Sequence, residues 1–482
     1  MNLSNTNFSG KLPDAISNLK QLSVLDLSNC QFIETLPISI SDLTHLVHVV
    51  LSFNKFTGPL PSFKTLKNLT YLSLLHNNLL GTIPTTHFDG LESVLIINLG
   101  DNSLDGKIPV SLFTLPSLQE LTLCHNGFDS QLDEFPNISS SKLQLIDLSS
   151  NKLQGPIPNS IFHLEGLRFL QLSANEFSGT IRLDMVQRLQ NLHTLGLSHN
   201  KLSVDITFID DHDLSSFPSM KYLSLASCNL GEFPGFQGKI HEAFCNFSYL
   251  RLLDLSYNSF NDFIPMGLMK RNSTLRVLNL AENKLQGYIS DTISSSHNLR
   301  FLNLNGNLLG GVIPSSLANC QSLQVLNLGS NQFSDRFPCF LRNISTLRVL
   351  ILRSNKLNGP IPCPHNTGNW EMLHIVDLAS NNSTGLLPGP VLRSWTKMLA
   401  DHIFAYYVTS NQFGGRYLNS VTIVVKGVQM KLIKIPTIFT SLDVSSNHFE
   451  GPIPQELASL STLYFLNLST FSQAISPHQL EI

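Results

Sequence analysis

The residues from Leu347 to Pro362 read LRVLILRSNKLNGPIP, and their spacing constrains the chain more than any other feature. Leu347, Leu350, Leu352, Asn355 and Leu357 fit neither the period of a helix nor that of a simple strand. Leu350-Ile351-Leu352 alternates like a short strand, so two leucines enter a core and Ile351 faces away. Asn355 turns the chain, because its amide both donates to and accepts from backbone groups that no strand partner reaches. Gly359-Pro360-Ile361-Pro362 then breaks any helix and bends the chain toward an outer wall.

Aligned on Asn355, the same position is held by Asn54, Asn77, Asn102, Asn126, Asn151, Asn175, Asn200, Asn258, Asn283, Asn307, Asn331, Asn381 and Asn447. Thr6, Cys30, Cys228 and Phe471 fill it where Asn is absent, giving 18 positions, most of them 23 to 25 residues apart. This is the spacing of a leucine-rich repeat. Each repeat touches only its neighbours, so the 482 residues make one α/β solenoid instead of several globules. A parallel sheet is expected on its concave face. The intervals lengthen to 28 and 30 residues on either side of Cys228, and to 66 between Asn381 and Asn447. Those intervals divide the chain into a solenoid over 1–388, a non-repeat island over 389–436, resumed repeats over 437–471 and an off-register tail over 472–482.

Hydrophobic residues make up 42% of the chain, enough for a continuous core. Net charge is -3, from 31 basic and 34 acidic residues without a basic run, which argues against nucleic acid as a partner. No apolar run approaches the ~18 to 20 residues of a membrane span. The best candidate, Val421 to Phe439, is interrupted by Lys426, Lys431 and Lys434. The chain opens inside a strand at Asn2-Leu3-Ser4-Asn5, without a signal peptide or cap, and from Thr470 it drops the register. The expectation is a fragment of a longer protein or a truncated gene product, poorly soluble alone because Leu3 and Leu468 belong to uncapped repeats.

Catalytic motifs are absent: no Gly-rich phosphate loop, no G-x-S-x-G, no kinase lysine or H-R-D, and no H-E-x-x-H. Neither a cofactor nor a metal site is expected. The run Asp210-Asp211-His212-Asp213 reads as a solvated loop insertion. Cys30 and Cys228 stand at the ladder position as buried thiols, whereas Cys124, Cys245 and Cys320 have no obvious partner. Cys339 and Cys363 each lie eight residues after a ladder Asn. Equivalent positions of successive repeats stack about 4.8 Å apart, within the ~4.4 to 6.8 Å that a disulfide spans, so this pair is expected to bond. Of ten N-x-S/T sequons, those at Asn68, Asn137, Asn246, Asn272 and Asn343 fall 9 to 14 residues before a ladder position, on the outer wall where a glycan has room. Asn381, a ladder residue, should be buried and unmodified. Stacked cysteines and wall sequons together favour a secretory, oxidising compartment.

Residues two, four and six before the ladder position, with its immediate neighbours, are expected on the exposed concave face. Between Asn54 and Asn258 they include His48, Phe53, Tyr71, His76, Glu120, His125, Phe169, His199, Tyr222 and Tyr257. Aromatic side chains bury large areas at modest entropy cost, so a protein or peptide ligand is expected here. The later repeats offer Asn279, Asn303, Asn327, Val277 and Val325, a plainer ladder.

G-x-I/L-P recurs at Gly10–Pro13, Gly58–Pro61, Gly81–Pro84, Gly106–Pro109 and Gly155–Pro158, with Leu-Ser-x-Asn before it at Asn54 and Asn151. This resembles the plant extracellular class of leucine-rich repeats, which implies a second short sheet and a right-handed superhelix. Within the island, Tyr417, eight further residues and then Lys426-Gly427 resemble a motif of plant leucine-rich-repeat receptor-like proteins, immune receptors of the Verticillium-wilt-resistance type. The resemblance covers nearly the whole chain. It implies a partial ectodomain that lies on the extracellular face of the plasma membrane in the full-length protein. It also implies no kinase of its own, with signalling through a receptor kinase adaptor and a leucine-rich-repeat coreceptor kinase. Tyr417, Lys426 and Gly427 would position that coreceptor; the β-prone run Ser420 to Val425 would add a strand at the solenoid flank. Family members continue past the island into further repeats, an acidic stretch and a membrane helix, whereas this sequence stops one repeat later. The alternatives are a soluble inhibitor similar to those that block fungal polygalacturonases, against which the island argues, and a nonfunctional truncated copy.

Overall fold

A computed structural model describes residues 1–136, 140–205, 218–228, 238–270, 274–294, 297–361, 363, 370–399, 420–425, 428–433 and 439–469. They form two compact units, 1–235 and 236–482. In the first, three-residue strands from Val24–Asp26 and His48–Val50 through to Tyr222–Ser224 pair in parallel, each with the strand of the next repeat. The second repeats the plan from Leu252–Asp254 to Phe465–Asn467. One rung per repeat follows from the expected alternation: Leu350 and Leu352 are fully buried, and so are their counterparts Val49 and Leu51 in one earlier repeat and Leu72 and Leu74 in the next.

The ladder Asn explains the regularity. Asn54 donates from Nδ2 to the carbonyls of Leu51, Ser52 and, in the preceding repeat, Leu27. Its Oδ1 accepts from the Phe32 backbone N–H at 3.0 Å. Asn355 makes the same four bonds to Leu328, Leu352, Arg353 and Phe333. One buried amide thereby satisfies backbone groups of two repeats that would otherwise be stranded, at about 1–3 kcal/mol each if left unmade. Cys228 offers only a thiol there and donates weakly to the Leu197 and Ala226 carbonyls.

Beyond the Asn, a second set of parallel strands forms along one side, six in sequence from Ser9–Lys11 to Gly127–Phe128 in the first unit. This matches the second short sheet implied by the plant-type motif. The Gly of that motif is required by the turn: Gly106 has φ +70°, and a Cβ there would lie 2.8 Å from Thr82 Cγ2. The proline ends the strand and opens a 3-10 turn, as at Pro109 before Val110–Phe113 and Pro314 before Ser315–Asn319.

The 66-residue interval adds a single rung, because Ile375–Asp377 pairs directly with Ser441–Asp443. Between them, helices Gly389–Arg393 and Thr396–Leu399 bond to the next repeat through Arg393–Glu456 at 3.0 Å and Thr462 N–H to the Met398 carbonyl at 3.3 Å. Ser420–Val425 does not extend the solenoid sheets. It pairs antiparallel with Val428–Ile433 in a two-stranded sheet of its own, since that closer strand satisfies its backbone locally. Among the described residues no helix is long and apolar enough to cross a membrane.

Candidate ligand-binding surface

The residue just before the ladder Asn carries a conformational cost. Phe53, His76, His125, His199 and Tyr257 all have φ between 54° and 57°, the left-handed region. The turn demands it in nearly every repeat, and Gly306 takes the place without strain at φ 68°. Large rings at five of these positions are therefore not choices of the backbone. Their exposure is what they gain: Phe53 and Tyr257 are 50% and 57% exposed, and His76 and His199 are exposed.

Adjacent repeats bring the rings together in the first unit. Tyr71 pairs in register with His48, their ring centroids 6.1 Å apart edge to face. Phe53 and His76 lie 5.3 Å apart with planes tilted by 35°. His48 with Tyr71, and Phe53 with His76, thus form two ring pairs across the same two repeats. Phe169 is half-buried and its strand neighbours that of Thr194, which neighbours that of Tyr222. Glu120 and His125 share one repeat and are half-buried. Tyr257 belongs to the second unit, where burial, Glu282 and Asp254 push its phenol pKa up.

Two parts of the expected surface are corrected. Residues two before the ladder position are mostly buried, as Ser52, Ser173 and Ser198 are, because they bond inside the sheet; the Ser52 and Ser73 hydroxyls are 2.7 Å apart. In the later repeats Val277, Val325 and Asn327 are only 4%, 2% and 4% exposed, so these members of the expected ladder are not presented to a ligand, while Asn279 and Asn303 are half-buried. Ile351, expected to face away from the core, is buried among them as well. The polar members serve the fold. Asn279, Asn303 and Asn327 each accept the N–H two residues on, at 3.1 to 3.4 Å, closing the strand end. Asp26, Asp147, Asp254 and Asp443 do the same and also accept the following Ser hydroxyl. The recurring triplet, D-L-S at three of these and D-V-S at Asp443, carried that signal.

Cys339 and Cys363 are bonded, with sulfurs 2.02 Å and Cα atoms 5.3 Å apart. Cys30, Cys124, Cys228, Cys245 and Cys320 are buried and not disulfide-bonded, and burial alone pushes the Cys320 thiol to about 11. Asn68 and Asn343 are exposed, whereas Asn381 is buried with its amide committed to three carbonyls. Asn137 and Asn272, the side chain of Asn246, and Tyr417, Lys426 and Gly427 lie outside the described residues, as does Asp210–Asp213. Among the described residues no group of three His, Cys, Asp or Glu is placed to hold a metal ion.

A stacked parallel sheet, an Asn ladder and a side sheet define a leucine-rich-repeat protein. The leucine-rich repeat region family matches residues 1–235, and further leucine-rich repeat families match 248–309, 319–336 and 439–460. The chain belongs to the leucine-rich-repeat proteins, and the relatives it matches are plant receptor-like proteins. It is 30% identical over 282 residues to Receptor-like protein 35 of Arabidopsis thaliana, covering 57% of this chain and 28% of that protein. With Receptor-like protein 53 of the same plant it shares 32% over 297 residues, 59% of this chain and 28% of the relative. The aligned part is thus under a third of either relative's length. In structure it is similar to the ectodomain of the membrane receptor kinase GASSHO1/SCHENGEN3 from Arabidopsis thaliana, solved with CASPARIAN STRIP INTEGRITY FACTOR 2 (TM-score 0.74, 25% identity, 98% of this chain and 56% of that one). It is also similar to PEPR1 in the PEPR1–AtPEP1 structure, with TM-score 0.68, 26% identity, and 98% and 65% coverage.

Proposed function

We propose that this chain is part of the extracellular ligand-recognising region of a plant immune receptor, and that a protein or peptide ligand seats on the sheet of the first unit. The observation that carries the reading is the two ring pairs, His48 with Tyr71 and Phe53 with His76, the second held there against the backbone preference. Rigid rings of this kind bury apolar area while presenting polar edges, which suits a polypeptide ligand. The similar ectodomains of GASSHO1/SCHENGEN3 and PEPR1, each solved as a complex, support a recognition role for the fold. The sequons at Asn68 and Asn343 stand at exposed positions where a glycan has room, which supports a secreted location.

In this reading the chain performs no catalysis. The segment with Tyr417, Lys426 and Gly427 docks a coreceptor kinase, and a receptor kinase adaptor carries the signal inward. One experiment on the full-length receptor tests both parts. Phe53→Ala, Tyr71→Ala and His76→Ala combined should abolish ligand-dependent responses with secretion unchanged. Tyr417→Ala or Lys426→Ala should spare ligand binding and lose ligand-dependent association with the coreceptor. Full responses in the triple variant would refute the site, and retention of the island variants in the endoplasmic reticulum would make that segment structural.

A further inference from the structure

Asn381-Asn382-Ser383-Thr384 holds two overlapping N-x-S/T sequons, and the structure separates them. Asn381 is the ladder residue, 8% exposed, with Nδ2 donating to the carbonyls of Leu352, Leu378 and Ala379 at 3.0 to 3.3 Å. A sugar on that nitrogen would displace the bonds that join two repeats. Asn467, in the sequon Asn467-Leu468-Ser469, is committed in a similar way, donating to Asp443 Oδ2 and Ser445 Oγ at 3.2 and 3.1 Å.

Asn382 differs from both. It opens the side-sheet strand Asn382–Leu386 and is exposed. Its backbone N–H donates to the Leu357 carbonyl at 2.8 Å, and the N–H of buried Ser383 donates to Asn447 Oδ1 at 3.1 Å. The strand is thus fixed at both residues, while among the described residues the Asn382 side-chain amide has no hydrogen-bond partner. The position after the ladder residue faces solvent in other repeats too, where Lys55, Lys152, Lys284 and Lys356 hold it and are all exposed. The same strand face ends at Leu386, an apolar side chain that is 61% exposed. Alternation puts residues 382, 384 and 386 on that face, with Leu386 about 13 Å along the strand from Asn382. Leu386 lies across Gly451 of the next repeat, where a Cβ would collide with its Cδ2. The in-register neighbours on this flank, Asn358 beside Asn382 and Glu450 beside Leu386, are exposed as well.

We propose that Asn382 carries an N-linked glycan that covers the side-sheet flank of the second unit around Leu386. The step is the transfer of an oligosaccharide from a lipid-diphosphate donor in the secretory pathway. Asn382 Nδ2 bonds to the anomeric carbon of the first sugar and gives up one proton. The bond from that carbon to the diphosphate oxygen breaks, and the lipid diphosphate leaves. A glycan is bulky and solvated, so on this exposed strand it stands clear of the ladder and shields Leu386 from protein contact. Folding then selects between the two sequons: a chain modified at Asn381 cannot close the ladder, whereas one modified at Asn382 can. The proposal rests on the secreted location given above, and the exposed sequons at Asn68 and Asn343 are its controls.

The test treats full-length receptor from leaf tissue with a peptide-N-glycosidase in heavy-oxygen water. Each vacated Asn becomes a labelled Asp, and mass spectrometry of the peptides locates it. Label is expected at 382 and not at 381. Label at 68 or 343 with none at 382 overturns the proposal alone; no label at any of the three overturns it together with the secreted location. Label at 381 in the secreted protein overturns the selection by ladder bonds. The shielding is read separately with Leu386→Cys, since the five cysteines outside the disulfide are all buried. A polymer-linked maleimide should label this variant several-fold more slowly than the double variant Leu386→Cys with Asn382→Gln, which lacks the glycan. Equal rates in the two variants would overturn the covering role.

Discussion

At the scale of single residues, two kinds of position repeat through the chain and only one of them serves the fold. The ladder Asn was legible because no other side chain both donates and accepts at that reach, and its absence at Cys228 leaves visibly weaker bonds. The residue before it was legible as exposed but not as strained, since spacing carries no backbone angle. Phe53 at φ 57° costs on the order of 1–2 kcal/mol, which an Asn relieves through its tolerance of this region. Phe53→Asn is therefore expected to raise the unfolding midpoint while weakening ligand responses. A variant that is both less stable and fully responsive would show that the ring is there for packing. The local bonds of the polar residues four before the ladder were not legible for a related reason. Alternation says that Asn303 faces outward, but not that its amide oxygen is already occupied by the Asn305 N–H.

At the scale of elements, strands and turns followed from leucine spacing and from the Gly and Pro of the side sheet, and the shared offset was enough to pair Cys339 with Cys363. What spacing could not supply was the burial of the later repeats, where Val349, Ile375 and His374 are all nearly inaccessible. His374 gives that burial a measurable consequence. Burial, with smaller help from Arg348 and Lys397, depresses its pKa to about 4, against the opposing pull of a 3.0 Å contact to the Met372 carbonyl. A depressed imidazole adds stability that is complete above its unfolded value of roughly 6.5 and is lost as pH falls toward 4. Asp377, raised to about 6 chiefly by burial, works in the opposite sense, losing stability as pH rises through that value. His374→Gln removes only the first effect. Denaturant melts should show wild type falling relative to this variant by on the order of 3 kcal/mol between pH 7 and pH 4. Parallel curves would mean that the imidazole is hydrated in the folded chain.

At the scale of the molecule, the solenoid of the first unit presents its rings on the sheet, on strands that each belong to one repeat. The rings come two to a repeat, His48 with Phe53 and Tyr71 with His76, and can change without disturbing the Asn ladder beneath. The central claim is that the ligand seats on those rings, and contact there can be measured directly. Full-length receptor carrying a benzophenone amino acid at position 53 or 71, or at the control position 303 or 343, is irradiated with an elicitor preparation that activates it. A ligand adduct at 53 and 71, absent at 303 and 343, is the expected result. Adducts at 303 with none at 53 or 71 would contradict the account.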